Sequence, residues 1–248
     1  IPFIQNLLKR RAKVLLISHL GRPKSNKDKS LSLKPVFNYL KEKIDNKLYF
    51  HSDEITNKTK EKISFLNAGE IIFFENIRLS EGETKNDDHF AKILSSIGEI
   101  YINDAFSCSH RKQASIHKIT KYIKDSYAGP LLMKEILSIN MVLHDKKSPI
   151  TCIIGGSKIS TKIGVIKSLI KKVDNLVIVG AMANNFVKFK GIKIGKSLVE
   201  TNSEIIINEI YDKAIEYNCE IVTPLDFAVS ENTEGKANFR GLNSVNEN

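Results

Sequence analysis

Three arginines recur in one kind of place along this chain. Arg22 stands in the loop Ser18-His19-Leu20-Gly21-Arg22-Pro23, just after an apolar run at 13–18. Arg78 ends Glu75-Asn76-Ile77-Arg78 after a second run at 70–75, and Arg111 follows His110 after a third at 99–103. Only six of the 38 basic residues are arginine. In a chain that prefers lysine, arginine marks places that need a planar, two-pronged donor. Ligands of open α/β sheets bind beyond the carboxyl ends of the strands. Arg22, Arg78 and Arg111, with His19 and His110 nearby, are therefore expected to line a cationic pocket. Such a pocket suits a small ligand with several anionic groups, held by bidentate N–H to oxygen pairs.

Residues 152–162, Cys-Ile-Ile-Gly-Gly-Ser-Lys-Ile-Ser-Thr-Lys, form a second constellation. An apolar run at 150–154 reads as a buried strand. Gly155 and Gly156 carry no Cβ, so the backbone can approach a ligand closely. A helix is expected to open at Lys158, with Lys162 one turn on and on the same face. A helix N-terminus adds N–H donors and partial positive charge, which suits phosphate. The spacing is not that of G-x-x-x-x-G-K-[ST]. Two solvated lysines at an ordinary strand-to-helix turn is the competing reading.

The elements that must position these residues alternate. Apolar runs at 13–18, 48–50, 70–75, 99–103, 150–154, 174–179 and 220–223 read as strands. Helical patterns lie between them, among them 35–44, 54–66, 87–96, 131–144, 158–171, 181–188 and 203–217. Alternation of this kind implies an α/β protein: two doubly wound parallel-sheet units with helices on both faces, joined by a helix. The expected divisions are 1–128, 129–146 and 147–248.

Composition narrows the function. The chain of 248 residues is 42% hydrophobic, enough to bury a core. No apolar run approaches about 18 residues, so no membrane span is expected. The first residues lack the basic start of a signal peptide. Cys108, Cys152 and Cys219 form no C-x-x-C pair, so neither a metal site nor a disulfide framework is expected, and a reducing, cytoplasmic setting is. The net charge of +10 is spread along the chain, not gathered in a basic tract with aromatics, which argues against nucleic acid as a partner.

At this level of detail the chain resembles phosphoglycerate kinases. The matching segments are S-H-L-G-R-P-K (18–24), F-F-E-N-I-R-L (73–79), I-N-D-A-F-S-C-S-H-R (102–111), A-G-P-L-L-M-K-E-I (128–136), I-I-G-G-S-K-I-S-T-K-I (153–163), V-G-A-M-A-N-N-F (179–186), G-K-S-L-V-E (195–200) and T-P-L-D-F-A-V (223–229). They come in the family's order. The resemblance implies an N-terminal domain that holds 3-phosphoglycerate and a C-terminal domain that holds Mg-ADP or Mg-ATP. It implies phosphoryl transfer between 1,3-bisphosphoglycerate and ADP on domain closure, with Mg2+ arriving on the nucleotide and no tightly bound cofactor. It assigns His19, Leu20, Gly21, Arg22, Arg78 and Arg111 to the phosphoglycerate, and Gly155, Gly156, Lys158, Lys162 and Gly180 to the nucleotide. Arg22 and Lys162 become the catalytic pair. A monomer is expected because the family is mostly monomeric.

The family's D-F-N-type loop and its G-G-G-D-type turn, with the Mg-associated aspartate and the acidic ribose residue, are not in this sequence, so no metal ligand is assigned. A chain without those flanking strands is expected to expose sheet edges. Ser107-Cys108-Ser109 and Ala181 stand where the family often has glycine or other small residues. A catalytically inactive remnant that keeps only anion and nucleotide binding is the alternative.

Overall fold

Proline in the first turn opens helix α1 (Pro2–Lys9), where its missing N–H removes no helical bond. A computed structural model describes residues 1–26, 28–144, 148–230 and 235–241. After α1 come β1 (Val14–Leu16), α2 (Lys34–Lys43), β2 (Leu48–His51), α3 (Thr59–Lys62) and β3 (Ile71–Phe74). Next are α4 (Glu81–Thr84), α5 (Asp88–Ser96), β4 (Tyr101–Asn103), β5 (Ser126–Ala128) and α6 (Pro130–His144). The chain divides into two units, Ile1–Ser138 and Ile139–Asn248, and the division falls within α6. The sequence-level boundary at 146–147 touches residues outside the described set.

In the first unit β3 lies between β1 and β2, and both pairings are parallel. Its four residues, Ile-Ile-Phe-Phe, are all buried, as a strand covered on both faces requires. Successive side chains alternate between two cores. Ile71 and Phe73 join Leu8, Val14, Phe37 and Leu48. Ile72 and Phe74 join Ile63, Leu66, Phe90, Leu94 and Ile119. Strands β4 and β5 form a separate parallel pair. Asp87 caps α5 by accepting the N–H of Phe90 at 2.7 Å, and Asp88 adds the acidic first turn that the helix dipole favours.

The second unit holds β6 (Thr151–Gly155), α7 (Ile163–Ile170), β7 (Asn175–Val179), α8 (Ala181–Phe189), α9 (Glu204–Glu216), β8 (Glu220–Val222), β9 (Asp226–Val229) and β10 (Asn238–Gly241). Strands β6, β7 and β8 run parallel in that order, and β9 pairs antiparallel with β10. Leu176 and Ile178 of β7 pack with Ile166, Ile170, Met182, Phe186, Ile207 and Ile210 from the three helices. Strand β6, expected to be buried, is not: none of its residues is buried and Ile153 is 68% exposed, because β6 pairs only with β7 and lies at the edge of this sheet among the described residues.

Two helices differ from the sequence expectation. Of 54–66 only Thr59–Lys62 is α-helical. The Thr59 hydroxyl accepts the N–H of Thr56 at 2.9 Å, a local bond that takes this N–H out of helical bonding and delays the start of the helix. Helix α7 begins at Ile163, not at Lys158. Strand β5 was not expected either, because Ser-Tyr-Ala shows no apolar run.

Phe74 is fully buried at the centre of the first sheet. Phe74→Ala is expected to destabilise the first unit by about 3–5 kcal/mol, read from denaturant unfolding.

Candidate functional site

The three arginines come from loops that follow β1, β3 and β4. Arg22, Arg78 and Arg111 line one cavity of about 320 Å³, together with Lys24, Glu81 and Gln113 among others. The Arg78 guanidinium donates from Nη1 to the carbonyl of Gly21 at 2.8 Å. Its Nε and Nη2, and the Nε of Arg111, are buried with no hydrogen-bond partner. Buried donors left without acceptors are costly, so their presence points to an anion that completes them.

Glu75 and Asn76 hold this geometry. The Asn76 amide donates to the carbonyls of Leu20 and Leu31 at 2.8 and 2.9 Å, and its Oδ1 accepts the N–H of Arg78 at 3.1 Å. The Glu75 carboxylate accepts the N–H of Asn76, the N–H of Leu33 and the hydroxyl of Ser32. The loop at 19–22 and the Arg78 segment are thereby one unit. Gly21 has φ 59, and a Cβ there would meet Leu31 Cδ2 at 2.8 Å, so the turn requires glycine. Leu20 and Gly21 thus spend their carbonyls on Asn76 and Arg78. His19, Leu20 and Gly21 stand beside the cavity, outside its wall.

Charge acts strongly here. Burial lowers the Arg78 pKa from its ordinary value, and repulsion from Arg111 and Arg22 adds to it. His19 is also held below its ordinary value, first by burial and then by Arg78 and Arg111. Its ring lies 3.9 Å (Nδ1) from the Cys108 sulfur, a contact that no sequence spacing announced. A cavity of about 360 Å³ lies elsewhere, by Tyr49, His51 and Phe65. Its largely aromatic and apolar wall makes it a poorer match for a multiply charged ligand.

In the second unit Gly155 ends β6 and lies opposite Val179. Gly180, at φ 70, caps α8; a Cβ on it would sit 3.4 Å from the Gly156 nitrogen. The Gly156 carbonyl accepts the N–H of Met182 at 2.7 Å. The Lys162 side chain lies over Gly156, its Cε 2.8 Å from where a Cβ would be. Gly155, Gly156, Lys162 and Gly180 are therefore neighbours. Lys158 is the exception to the expected arrangement. It lies in the loop before α7, so the shared helical face with Lys162 does not exist. The reason is Glu200. Its Oε2 accepts the N–H groups of Ile159 (2.8 Å) and Ser160 (3.1 Å), and its Oε1 accepts the Ser160 hydroxyl. Those bonds hold 159–160 in a loop, and they lower the Glu200 pKa. The N–H groups of Ile159 and Ser160, expected to face phosphate, thus bind a carboxylate. Asn185, buried, fixes Glu200 in turn by accepting its N–H at 2.7 Å.

Glu75, Asn76, Glu83, Asn185 and Glu200 were missed as functional residues. Each lies within or close to a segment matched above, but its role depends on partners far along the chain. Among the described residues no group of three or more His, Cys, Asp or Glu gathers that could hold a metal. All three cysteines are free. Among the described residues no helix is long and apolar enough to cross a membrane.

Parallel sheets covered by helices define an α/β protein, with a guanidinium-lined cavity in the loops beyond the strand ends, where such folds place their ligands. The chain belongs to the phosphoglycerate kinase family, whose sequence pattern matches residues 1–248. It is 44% identical over 234 residues to phosphoglycerate kinase of Wolbachia sp. subsp. Drosophila simulans (strain wRi), covering 94% of this chain and 58% of that protein. It is 39% identical over 240 residues to the Aquifex aeolicus (strain VF5) phosphoglycerate kinase, covering 95% of this chain and 60% of that one. The solved phosphoglycerate kinase of Coxiella burnetii superposes with TM-score 0.78 at 34% identity, over all of this chain and 62% of that one. That of Pyrococcus horikoshii OT3 gives 0.81 at 28% identity, over 63% of its length. The chain thus spans about three fifths of the length of these relatives.

The depressed His19 pKa gives a pH expectation. A base with a lowered folded pKa contributes stability that is present above its unfolded value, about 6.5, and lost as pH falls through the folded value. In a histidine NMR titration His19 is expected to titrate below 6.5 in the free protein, and to move upward if an added multivalent anion such as 3-phosphoglycerate settles beside Arg78 and Arg111 and offsets their charge. A titration indifferent to the ligand would place the ligand elsewhere.

Proposed function

We propose that this chain contributes the phosphoglycerate and part of the nucleotide site of a phosphoglycerate kinase, which moves a phosphoryl group reversibly between 1,3-bisphosphoglycerate and ADP. The single observation that carries the reading is the set of buried, unpartnered guanidinium donors of Arg78 and Arg111 in the cavity that Arg22 also lines. A ligand with a phosphate at one end and a carboxylate at the other satisfies those donors.

The chemistry needs no base. The carboxylate of 3-phosphoglycerate is ionised at neutral pH and attacks the terminal phosphorus of ATP directly, as the bond to the bridging oxygen breaks and ADP leaves. In the reverse direction it leaves as the carboxylate while the terminal oxygen of ADP bonds to phosphorus. The protein's share is then to position the groups and to neutralise charge on the equatorial oxygens of the transferring group. We assign Arg22 to that role on the phosphoglycerate side and Lys162 on the nucleotide side. Arg78 and Arg111 hold the phosphoglycerate, with His19 beside them at the margin of the cavity and Leu20 and Gly21 shaping the turn. Gly155, Gly156 and Gly180 let the backbone approach the nucleotide, and Lys158 adds positive charge near it. Mg2+ would arrive on the nucleotide phosphates, since no group of three or more His, Cys, Asp or Glu among the described residues could hold it alone. The partners are small molecules, and a cytoplasmic monomer is consistent with a glycolytic role.

Arg22→Ala is expected to abolish nearly all transfer while leaving nucleotide affinity almost unchanged, measured by coupled assay and by ADP titration; undiminished turnover would refute the assignment. Lys162→Ala is expected to lower kcat by the equivalent of about 2–4 kcal/mol, the loss typical of a preorganised charge-stabilising group. Wild-type kinetics would leave this lysine a solvated charge.

A further inference from the structure

We propose that Glu83 is a positioning residue for the arginine pocket, setting the Arg111 loop against the Arg78 segment through Ser115. The inference rests on the reading of that pocket as the phosphoglycerate site.

Glu83 lies in α4 and is 1% exposed. Both of its carboxylate oxygens are used by one residue. Oε2 accepts the N–H of Ser115 at 2.8 Å, and Oε1 accepts its hydroxyl at 2.7 Å. The Ser115 carbonyl accepts the hydroxyl of Tyr101, in β4, at 2.6 Å. Ser115 is thereby held from two elements at once.

From Ser115 the constraint runs back along a tight main chain. The Gln113 carbonyl accepts the N–H groups of Ile116 and His117, at 3.1 and 2.7 Å. The Gln113 N–H donates to the Arg111 carbonyl at 3.1 Å, and the Arg111 N–H to the Cys108 carbonyl at 2.9 Å. Moving Ser115 therefore moves Arg111. On the other side, the Glu83 N–H donates to the Ser80 carbonyl and the Ser80 N–H to the Ile77 carbonyl, both at 3.1 Å. That path ends at Arg78.

A buried carboxylate is expensive unless its oxygens are bonded. Burial pushes the Glu83 pKa up, while Ser115 and the positive Arg78 oppose the rise. Glu83 and Arg78 favour each other's charge, in a pocket where Arg78, Arg111 and Arg22 repel one another. An apolar residue here would pack but would leave the Ser115 N–H unbonded. The reach of the side chain is thus the property that the pocket needs. Glutamine keeps that reach and an acceptor for the Ser115 N–H, and the serine hydroxyl can turn to accept from the amide. Aspartate keeps the charge but falls short by one methylene.

The test is calorimetric titration of 3-phosphoglycerate into the full chain and its Glu83→Asp, Glu83→Gln and Arg78→Ala variants, each first checked by thermal melting. Glu83→Asp is expected to weaken 3-phosphoglycerate binding by on the order of tenfold or more, as small misplacements of binding groups do. Glu83→Gln is expected to recover most of that affinity whatever its melting temperature. A folded Glu83→Asp variant with wild-type affinity would overturn the proposal. So would a Glu83→Gln variant as weak as Glu83→Asp, because charge and not reach would then be at work. Should Glu83→Asp not fold, Glu83→Gln decides alone: affinity within about threefold of wild type supports the positioning role, and a larger loss refutes it. Arg78→Ala separates the two levels. If it too binds normally, the pocket reading itself fails; if it loses binding while Glu83→Asp does not, only the role of Glu83 fails.

Discussion

The arginine pocket of the first unit depends on the cost of holding guanidinium groups close together, a cost that the nearby Glu83 carboxylate offsets only in part. Arg78 and Arg111 are buried enough to lose hydration, and they raise each other's energy. The fold tolerates this because main-chain, amide and carboxylate groups fix the loops and leave several guanidinium N–H groups without a partner. The Gly21 carbonyl takes one donor of Arg78, and Asn76 ties the Arg78 backbone to the loop after β1. A ligand that brings negative charge relieves the strain and is bound by the same term. This is preorganisation in the electrostatic sense: the donors are in place before the anion arrives.

The second unit solves a related problem differently. Its loop after β6 does not offer every N–H to a ligand. Glu200 takes those of Ile159 and Ser160, and Asn185 holds Glu200. The carboxylate acts as an internal counter-anion that shapes the loop, while Gly155, Gly156 and Gly180 keep the backbone open beside it. The Lys162 chain, just before α7, then lies over Gly156. Side-chain acceptors thus hold loops in both units, Glu75 and the buried Glu83 in the first, Glu200 and the buried Asn185 in the second.

Much of this was legible in the sequence, and the reason is physical. Strands such as Ile71–Phe74 and Asn175–Val179 announce themselves, because a strand inside a parallel sheet must be nearly all apolar. The strand-end arginines stood out because the rest of the chain uses lysine. The short helix at Thr59–Lys62 and the late start of α7 were not legible. Each is decided by a side chain that competes with helical bonding, Thr59 locally and Glu200 from 40 residues away. The roles of Asn76 and Glu83 were hidden for the same reason. Nothing in Gly-Glu-Thr says that its glutamate meets Ser115.

The most direct test follows the arginine side chains themselves. The Nε–H resonances of Arg78 and Arg111 can be observed by ¹H–¹⁵N NMR of the full chain as 3-phosphoglycerate is added. Both are expected to shift and to slow their exchange with water as the buried donors gain an acceptor, with little response from Arg10 or Arg11. Unchanged Arg78 and Arg111 signals at saturating ligand would contradict the account, because these donors would then be waiting for nothing.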